Sequence, residues 1–392
     1  MSADDLVLAR ASWSRLVEPG DVAAHAVVTA LGPTGALAWL REAAARDGAP
    51  PDLEGFAGPA RTRLTAAVAR WAPRLANLDI RRELRVLDRL GGAVLVPEDP
   101  RWPSGLDDLG TGAPMCLWVR GCGDLARLLD RSIAVIGARA STAYGEHVGA
   151  ELAAGVADAG WTVASGGAYG IDAVAHRAAL AADGPTVAFL AGGVDRLYPA
   201  GNARLLQQIC DGGGALVSEV PPGSVPSRSR FLLRNRLIAA ASRATVVVEA
   251  AWRSGALSTA AHAAGLLRPL GAVPGPVTSA ASAGCHRLLR EGAAACVTDT
   301  AEVLELVGRV GSDLAPEPDV EARPGDDLDP VLRRTLDALP LRRPAPPEAV
   351  ARAAGLAVGE VAGALGRLEL AGLAVHRGGS WSRAAWQPGQ GS

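Results

Sequence analysis

"SIAVIGARASTAYGEHVGAELAAGVADAGWTVASGGAYGID", residues 132–172, contains a whole strand–helix–strand unit. "SIAVIGA" is a short apolar run of the kind that makes a strand buried on both faces. "EHVGAELAAGVADAG" spaces Val148, Leu152 and Val156 four residues apart, on one side of a helix. "WTVAS" is the second strand, and glycines follow both. Strands joined by such a helix pair in parallel.

The alternation continues downstream. Helix "IDAVAHRAALAA" precedes strand "TVAFLAG", helix "NARLLQQIC" precedes strand "ALVSEV", and helix "RNRLIAAAS" precedes strand "ATVVVEA". Helix "GALSTAAHAAGLL" and strand "PLGAVPG" close the series. The expected fold class is α/β, a Rossmann-like parallel sheet with helices on both faces.

Upstream, residues 1–80 read as a domain of short helices: "DLVLARASWSRLV", "DVAAHAVVTALG" and "TRLTAAVARWA", broken by Gly and Pro. A mixed connector over 81–130 carries strand candidates in "AVLVPEDPRWPSGLDDL" and "APMCLWVRG", and with the core it makes a domain over 81–307. Residues 308–328 are acidic and rich in Pro and Gly, a linker. Beyond it, over 329–386, come three helices, "DPVLRRTLDAL", "PPEAVARAAG" and "AVGEVAGALGRLELAG", and a hairpin, "LAVHRGGSWSRAAW", turning at its glycine pair. That order suggests a winged helix of helix-turn-helix type.

Composition narrows the function. The 392 residues carry a net charge of -2, so no global basic coat draws the protein to an anionic partner, although a local basic groove remains open. All 39 basic residues are arginine. The five cysteines form no CxxC pair, which argues against a zinc site or disulfide framework and for reduced thiols in the cytoplasm. No signal layout opens the chain and no unbroken 18-residue apolar run occurs, so no membrane association is expected.

Charge is uneven locally. "VPSRSRFLLRNRLIAAASR", residues 225–243, holds Arg228, Arg230, Arg234, Arg236 and Arg243, and no acid lies between Glu219 and Glu249. The loops after the strands, where open α/β sheets bind ligands, carry the complementary chemistry. In "GARASTAYG", Gly137 lets a ligand approach the backbone, Arg139 adds a cationic fork and Ser141 a hydroxyl donor. It is not the dinucleotide GxGxxG. In "SGGAYGID", Ser165 and the amides of Gly166, Gly167 and Ala168, with Gly170 beyond, can form an anion nest. Asp172 reads as the next helix's N-cap, and His176, one turn on, as a packed residue rather than half of a catalytic pair. In "AGGVDRLYPAGN", Asn202 can cap the following helix, and Tyr198 either packs the loop or stacks on a base. In "EAAWRSGALST", Ser254 and Gly255 open a helix whose first amides are donors, with Glu249 placed to orient arginines. The set offers anion donors without an obvious acid, base or nucleophile, which suits phosphate binding better than a reaction.

Six ordered motifs over roughly 85–300, "IAVIGARASTAYG", "VASGGAYGIDAVAHRAAL", "GGVDRLYPAGN", "SEVPPGSVPSRSRFLLRNRLIAAAS", "VVVEAAWRSGALSTA" and "AVPGPV", resemble the DNA-processing protein A (DprA/Smf) family. The resemblance implies an extended Rossmann-like core, an N-terminal helical domain like a sterile alpha motif (SAM) and a C-terminal winged helix. It implies a non-enzymatic, cofactor-free homodimer that binds incoming single-stranded DNA in natural transformation, protects it and loads RecA. On it, Arg139, Ser165, Gly166, Gly167, Arg234, Asn235 and Arg236 line the phosphate-binding face, Phe231 meets a base and Arg268 is a further basic position. The family pattern is broken at Leu232, where Pro is usual, at His286, where Asn is common, and at Leu267, where Gly is frequent.

A basic track of Arg139, Arg230, Arg234, Arg236 and Arg268, with Phe231 and Tyr198 for stacking, predicts three or four phosphate contacts and a log–log salt slope of roughly -2 to -3. The competing readings are a phosphoribohydrolase-type nucleotide enzyme, which would use Glu249, and a winged-helix regulator, disfavoured because its third helix carries only Arg367 as a basic residue.

Overall fold

A computed structural model describes residues 3–46, 51–53, 55, 57–122, 124–308, 315 and 328–384. Met1–Ala315 forms one compact unit and Pro316–Ser392 a second.

The first unit is built on a nine-stranded sheet: β1 (Ala93–Leu95), β2 (Leu117–Gly121), β3 (Ser132–Gly137), β4 (Thr162–Ser165), β5 (Thr186–Leu190), β6 (Ala215–Ser218), β7 (Ala244–Glu249), β8 (Leu270–Ala272) and β9 (Ala295–Cys296), in the order β1-β2-β6-β5-β4-β3-β7-β8-β9. From β6 to β9 every pairing is parallel, while β1 and β2 run antiparallel along one edge. The expected α/β parallel-sheet class is therefore correct. The central strands β3 to β7 are buried on both faces, which is why they read as unbroken apolar runs. β9 was not anticipated, because two exposed residues carry no periodicity.

The helical segment 1–80 packs into this unit instead of standing apart. Ala11, Ile80 and Leu87 share a cluster with Trp118, Ala188 and Leu216 of the sheet. Trp118 Nε1 donates to Ser14 Oγ at 3.1 Å, and Arg10 pairs with Glu98. The segment's own centre is Trp13 edge-on to Trp71 at 5.6 Å. Helix Val22–Ala45 has the length and apolarity of a membrane span, but Gly32 (φ 70°) breaks it and Val27, Leu37 and Leu40 are buried among neighbouring helices. Helix Ile80–Arg89 lies inside the stretch read as connector.

The second unit has helices Pro330–Ala338, Pro347–Ala354 and Val358–Leu370 and a hairpin of β10 (Ala374–Arg377) with β11 (Ser380–Arg383). Gly378 and Gly379 make its turn, both at positive φ (56° and 76°), as a two-residue hairpin turn requires. This is the predicted winged-helix order. Of the predicted linker only Gly308, Ala315 and Leu328 are described, and residues 385–386 of the module lie outside the described residues.

Candidate nucleic-acid interface

The loops after β3, β4, β5 and β7 meet above the carboxyl ends of the strands, locked together by backbone contacts that side chains would prevent. Gly170 sits at φ 76° against the Ala138 and Arg139 carbonyls, and Ile171 N–H donates to Ala138 O at 3.1 Å. A Cβ on Gly170 would strike those carbonyls, so only glycine permits the crossing. Asn202, read as a helix cap, instead donates its amide to Gly167 O (3.1 Å) and Ala168 O (3.0 Å), pinning the glycine loop from the third loop; its side chain caps nothing. Asp172 is likewise not the cap, which is Gly170. Asp172 is buried as the second helical residue and accepts from Ala168 N at 3.3 Å. That amide is thus already engaged by a carboxylate, which removes one donor from the proposed nest.

A groove of about 840 Å³ runs over these loops, bordered by Arg139, Arg228, Phe231, Arg234, Arg253 and Thr259. Gly137, Ala168, Asn235, Ser254 and Gly255 also border it. Three of its arginines, Arg139, Arg228 and Arg253, are exposed, and none forms an ion pair among the described residues. Arg139 lies over the Phe231 ring, 4.5 Å from its centroid, and Tyr198 stands 6.0 Å from the same ring and half-exposed. The helix carrying this side runs Arg228–Ala241, starting five residues before the expected Leu233. Ser227 is its N-cap, accepting from Arg230 N at 3.3 Å.

Arg234 forms the floor. It is buried, donates to Phe189 O at 2.6 Å and leaves its Nε unpartnered. Burial lowers its pKa to about 10, opposed by Asp172 and reinforced by Arg139, so it stays charged at neutral pH. Burial in turn pushes the Asp172 carboxyl up, against the pull of Arg234. The groove thus sets a buried guanidinium, with one donor unpartnered, beneath exposed arginines. Gly166 backs onto this guanidinium so closely that a Cβ would collide with it.

Other expected site residues are committed elsewhere. Arg236 points away from the groove: its buried guanidinium pairs with Glu219 at 2.7 Å and donates to Gly112 O at 3.0 Å. Arg230 pairs with Glu18 at 2.9 Å, Arg268 with Asp108 at 2.7 Å and Arg243 with Asp130 at 2.6 Å. Arg268 also donates to the Ala240 carbonyl at 3.2 Å. The predicted track of Arg230, Arg236 and Arg268 is therefore corrected, since acids from elsewhere in the chain neutralise all three. Ser165 is fully buried and donates to Val135 O at 2.7 Å, so its hydroxyl faces the sheet. Ser141 donates to Glu146 at 2.8 Å. The Ala256 and Ser258 amides find Ser254 Oγ and Gly255 O at 3.3 and 3.1 Å, so this helix start is less open than expected. Asn235 donates to Gly255 O at 3.3 Å, fixing that loop beside the groove.

The candidate acid–base groups are structural. Glu249 accepts from Thr142 N (3.0 Å) and Thr142 Oγ1 (2.5 Å), so it anchors the N-cap of helix Ala143–Asp158 and orients no arginine. His176 is fully buried with Nδ1 2.7 Å from Thr186 Oγ1, and burial lowers its pKa to about 3. Arg253 was missed, although it stands in a loop already singled out. The signal was its place one residue before Ser254, in a turn that must lie at a strand's carboxyl end.

A sequence model of DNA recombination-mediator protein A matches residues 93–308, and a model of the DprA winged helix domain matches residues 319–380. The chain is 44% identical over 391 residues to the Mycobacterium tuberculosis relative named for DNA processing protein DprA, covering 96% of this chain and 94% of that one. It is 37% identical to Protein Smf of Escherichia coli, covering 69% of this chain and 72% of that one. The X-ray structure of DNA processing protein A from Streptococcus pneumoniae superposes with a TM-score of 0.58 at 28% identity, over 78% of this chain and 98% of that one.

Proposed function

The chain belongs to the DNA recombination-mediator protein A family, and from that membership we propose that its groove holds single-stranded DNA. Phosphates lie on Arg139, Arg228 and Arg253, with Arg234 beneath them, and a base stacks at Phe231. The observation that carries this reading is the groove's cation set: three exposed arginines without acid partners among the described residues and one buried arginine with an unpartnered donor, around an aromatic ring. A basic track with a flat ring suits a strand whose bases are free to stack. The Arg139 guanidinium already covers one face of the ring, and a base slots against what remains.

Binding, not chemistry, is the role. Glu249, Asp172 and His176 are each engaged by the fold, which leaves the groove without a free general base. We extend the reading to the family role: the bound strand is protected and handed to RecA by a homodimer in the cytoplasm during transformation. The test is fluorescence anisotropy of a labelled single strand against the same sequence as duplex. Tight single-strand binding that weakens on Arg253→Gln supports the proposal, and equal affinity for both forms refutes it. Stimulation of RecA filament formation on a coated strand tests the hand-over. Hydrolysis of nucleoside monophosphates, lost on Glu249→Gln, would instead establish the enzyme reading.

A further inference from the structure

Trp252 is an unusual residue for this protein. Trp13, Trp39, Trp71, Trp102 and Trp118 are all buried, whereas Trp252 is 53% exposed on the loop after β7. Its neighbours Ala251 and Arg253 border the groove. The Arg287 guanidinium lies 5.1 Å from its ring centroid, and Arg287 forms no ion pair among the described residues. Arg287 comes from helix Ala283–Arg290, which is held against this loop by Gly284 N–H donating to Ala250 O at 2.6 Å.

Three arginine–aromatic pairs occur among the described residues; Arg131 over Trp161 lies at the amino ends of β3 and β4, and the other two lie in or beside the loops that follow the strands. Arg139 covers Phe231 at the groove, and Arg287 covers Trp252, whose two chain neighbours border it. Each of these two pairs gives a flat ring next to a cation that can reach a phosphate, and Arg253, the residue after Trp252, borders the groove. An exposed indole costs solubility and exposes apolar area that the fold could have buried. A guanidinium fixed over it restrains the ring at little entropic cost and adds positive charge at the same point.

We propose that Trp252 and Arg287 form a second base-stacking subsite, which extends the single-strand path past β7 toward β8. This inference rests on the reading of the groove as a single-strand site. A short strand occupies the groove alone, and a longer one reaches Trp252 and gains one stacked base and one phosphate contact.

The test uses the full chain and oligothymidylates graded from about 4 to about 16 nucleotides, the range of such sites. In the unsubstituted protein, affinity should step up when the strand becomes long enough to reach the indole. Trp252→Ala should remove that step, a roughly 5- to 150-fold loss for long strands, and leave the shortest binders unchanged. Trp252→Phe should restore most of it, and Arg287→Gln should weaken only long strands. Quenching by a long strand should be smaller in Trp252→Phe than in the unsubstituted protein, and quenching by a short one should match. Equal binding of Trp252→Ala and the unsubstituted protein at every length, with groove variants still weakened, overturns the subsite and spares the groove. Failure of every length to bind the unsubstituted protein overturns both.

Discussion

The salt dependence of binding follows from which arginines the fold leaves unpaired. Arg139, Arg228 and Arg253 are exposed and form no ion pair among the described residues, and Arg234 lies beneath them, so three to four phosphates can be neutralised. At about -0.7 per phosphate for a single strand, the log–log slope is roughly -2.1 to -2.8, so raising salt from about 0.05 to about 0.2 M should cost roughly 20- to 50-fold in affinity. Replacing Arg228 and Arg253 together by Gln removes two contacts and should flatten the slope to roughly -0.7 to -1.4, leaving a salt effect of only about 3- to 7-fold. Neither side chain holds the fold together, so the doubly substituted protein should melt as the unsubstituted one does. Anisotropy titrations across that salt range measure the slope directly. A slope unchanged by the double substitution refutes the site. So does an equal flattening by Arg230→Gln, because Arg230 is neutralised by Glu18.

Other outcomes separate binding from stability. Arg236→Gln leaves Glu219 buried without its partner and should cost about 3–5 kcal/mol in urea unfolding, with the affinity of the folded fraction preserved. Phe231→Ala should lose about 1–3 kcal/mol of strand binding while the salt slope stays the same, as measured by parallel titrations. Leu267 holds a left-handed backbone (φ 55°) with its side chain 92% exposed, so Leu267→Gly should raise stability by about 1 kcal/mol in thermal unfolding. His176 is buried neutral with a pKa near 3, below that of the unfolded chain, so the unfolded state binds the extra proton between those values and stability falls with pH. Between pH 6.5 and pH 5 that loss should be about 2 kcal/mol, and His176→Gln should flatten it in urea titrations at the two pH values.

Local pattern carried the sheet. The apolar runs at 132–137, 162–165, 186–190 and 244–249 and the helical spacing between them are properties of neighbouring residues, and glycine-rich loops at strand ends are also local. The arginine window was legible as a place but not as a partition. From its acid-free span Arg230, Arg234 and Arg236 were read as cations of the track, yet Glu18 and Glu219 reach Arg230 and Arg236 across the fold, as Asp130 reaches Arg243. No spacing within 225–243 announces partners so distant in sequence. Arg234 and Arg236 are two residues apart in a helix, about 200° around its axis, so opposite destinations follow from helical geometry once the helix is extended back to Arg228. Ser165 was misread for a related reason. A serine at the last strand position looks like a loop donor, but its hydroxyl is buried and spent on the Val135 carbonyl of the neighbouring strand.

The helix Arg228–Ala241 is a party wall. One side borders the groove, while Arg230 and Arg236, off that side, grip Glu18, Glu219 and the Gly112 carbonyl. Truncation at residue 80 would strip Glu18 from Arg230 and uncover Trp118, whose indole is satisfied by Ser14. A shortened protein would then present a stray cation and an apolar face that the whole chain conceals. It would attract nucleic acid through the wrong surface, so weak, duplex-tolerant binding by such a fragment would describe the cut and not the groove.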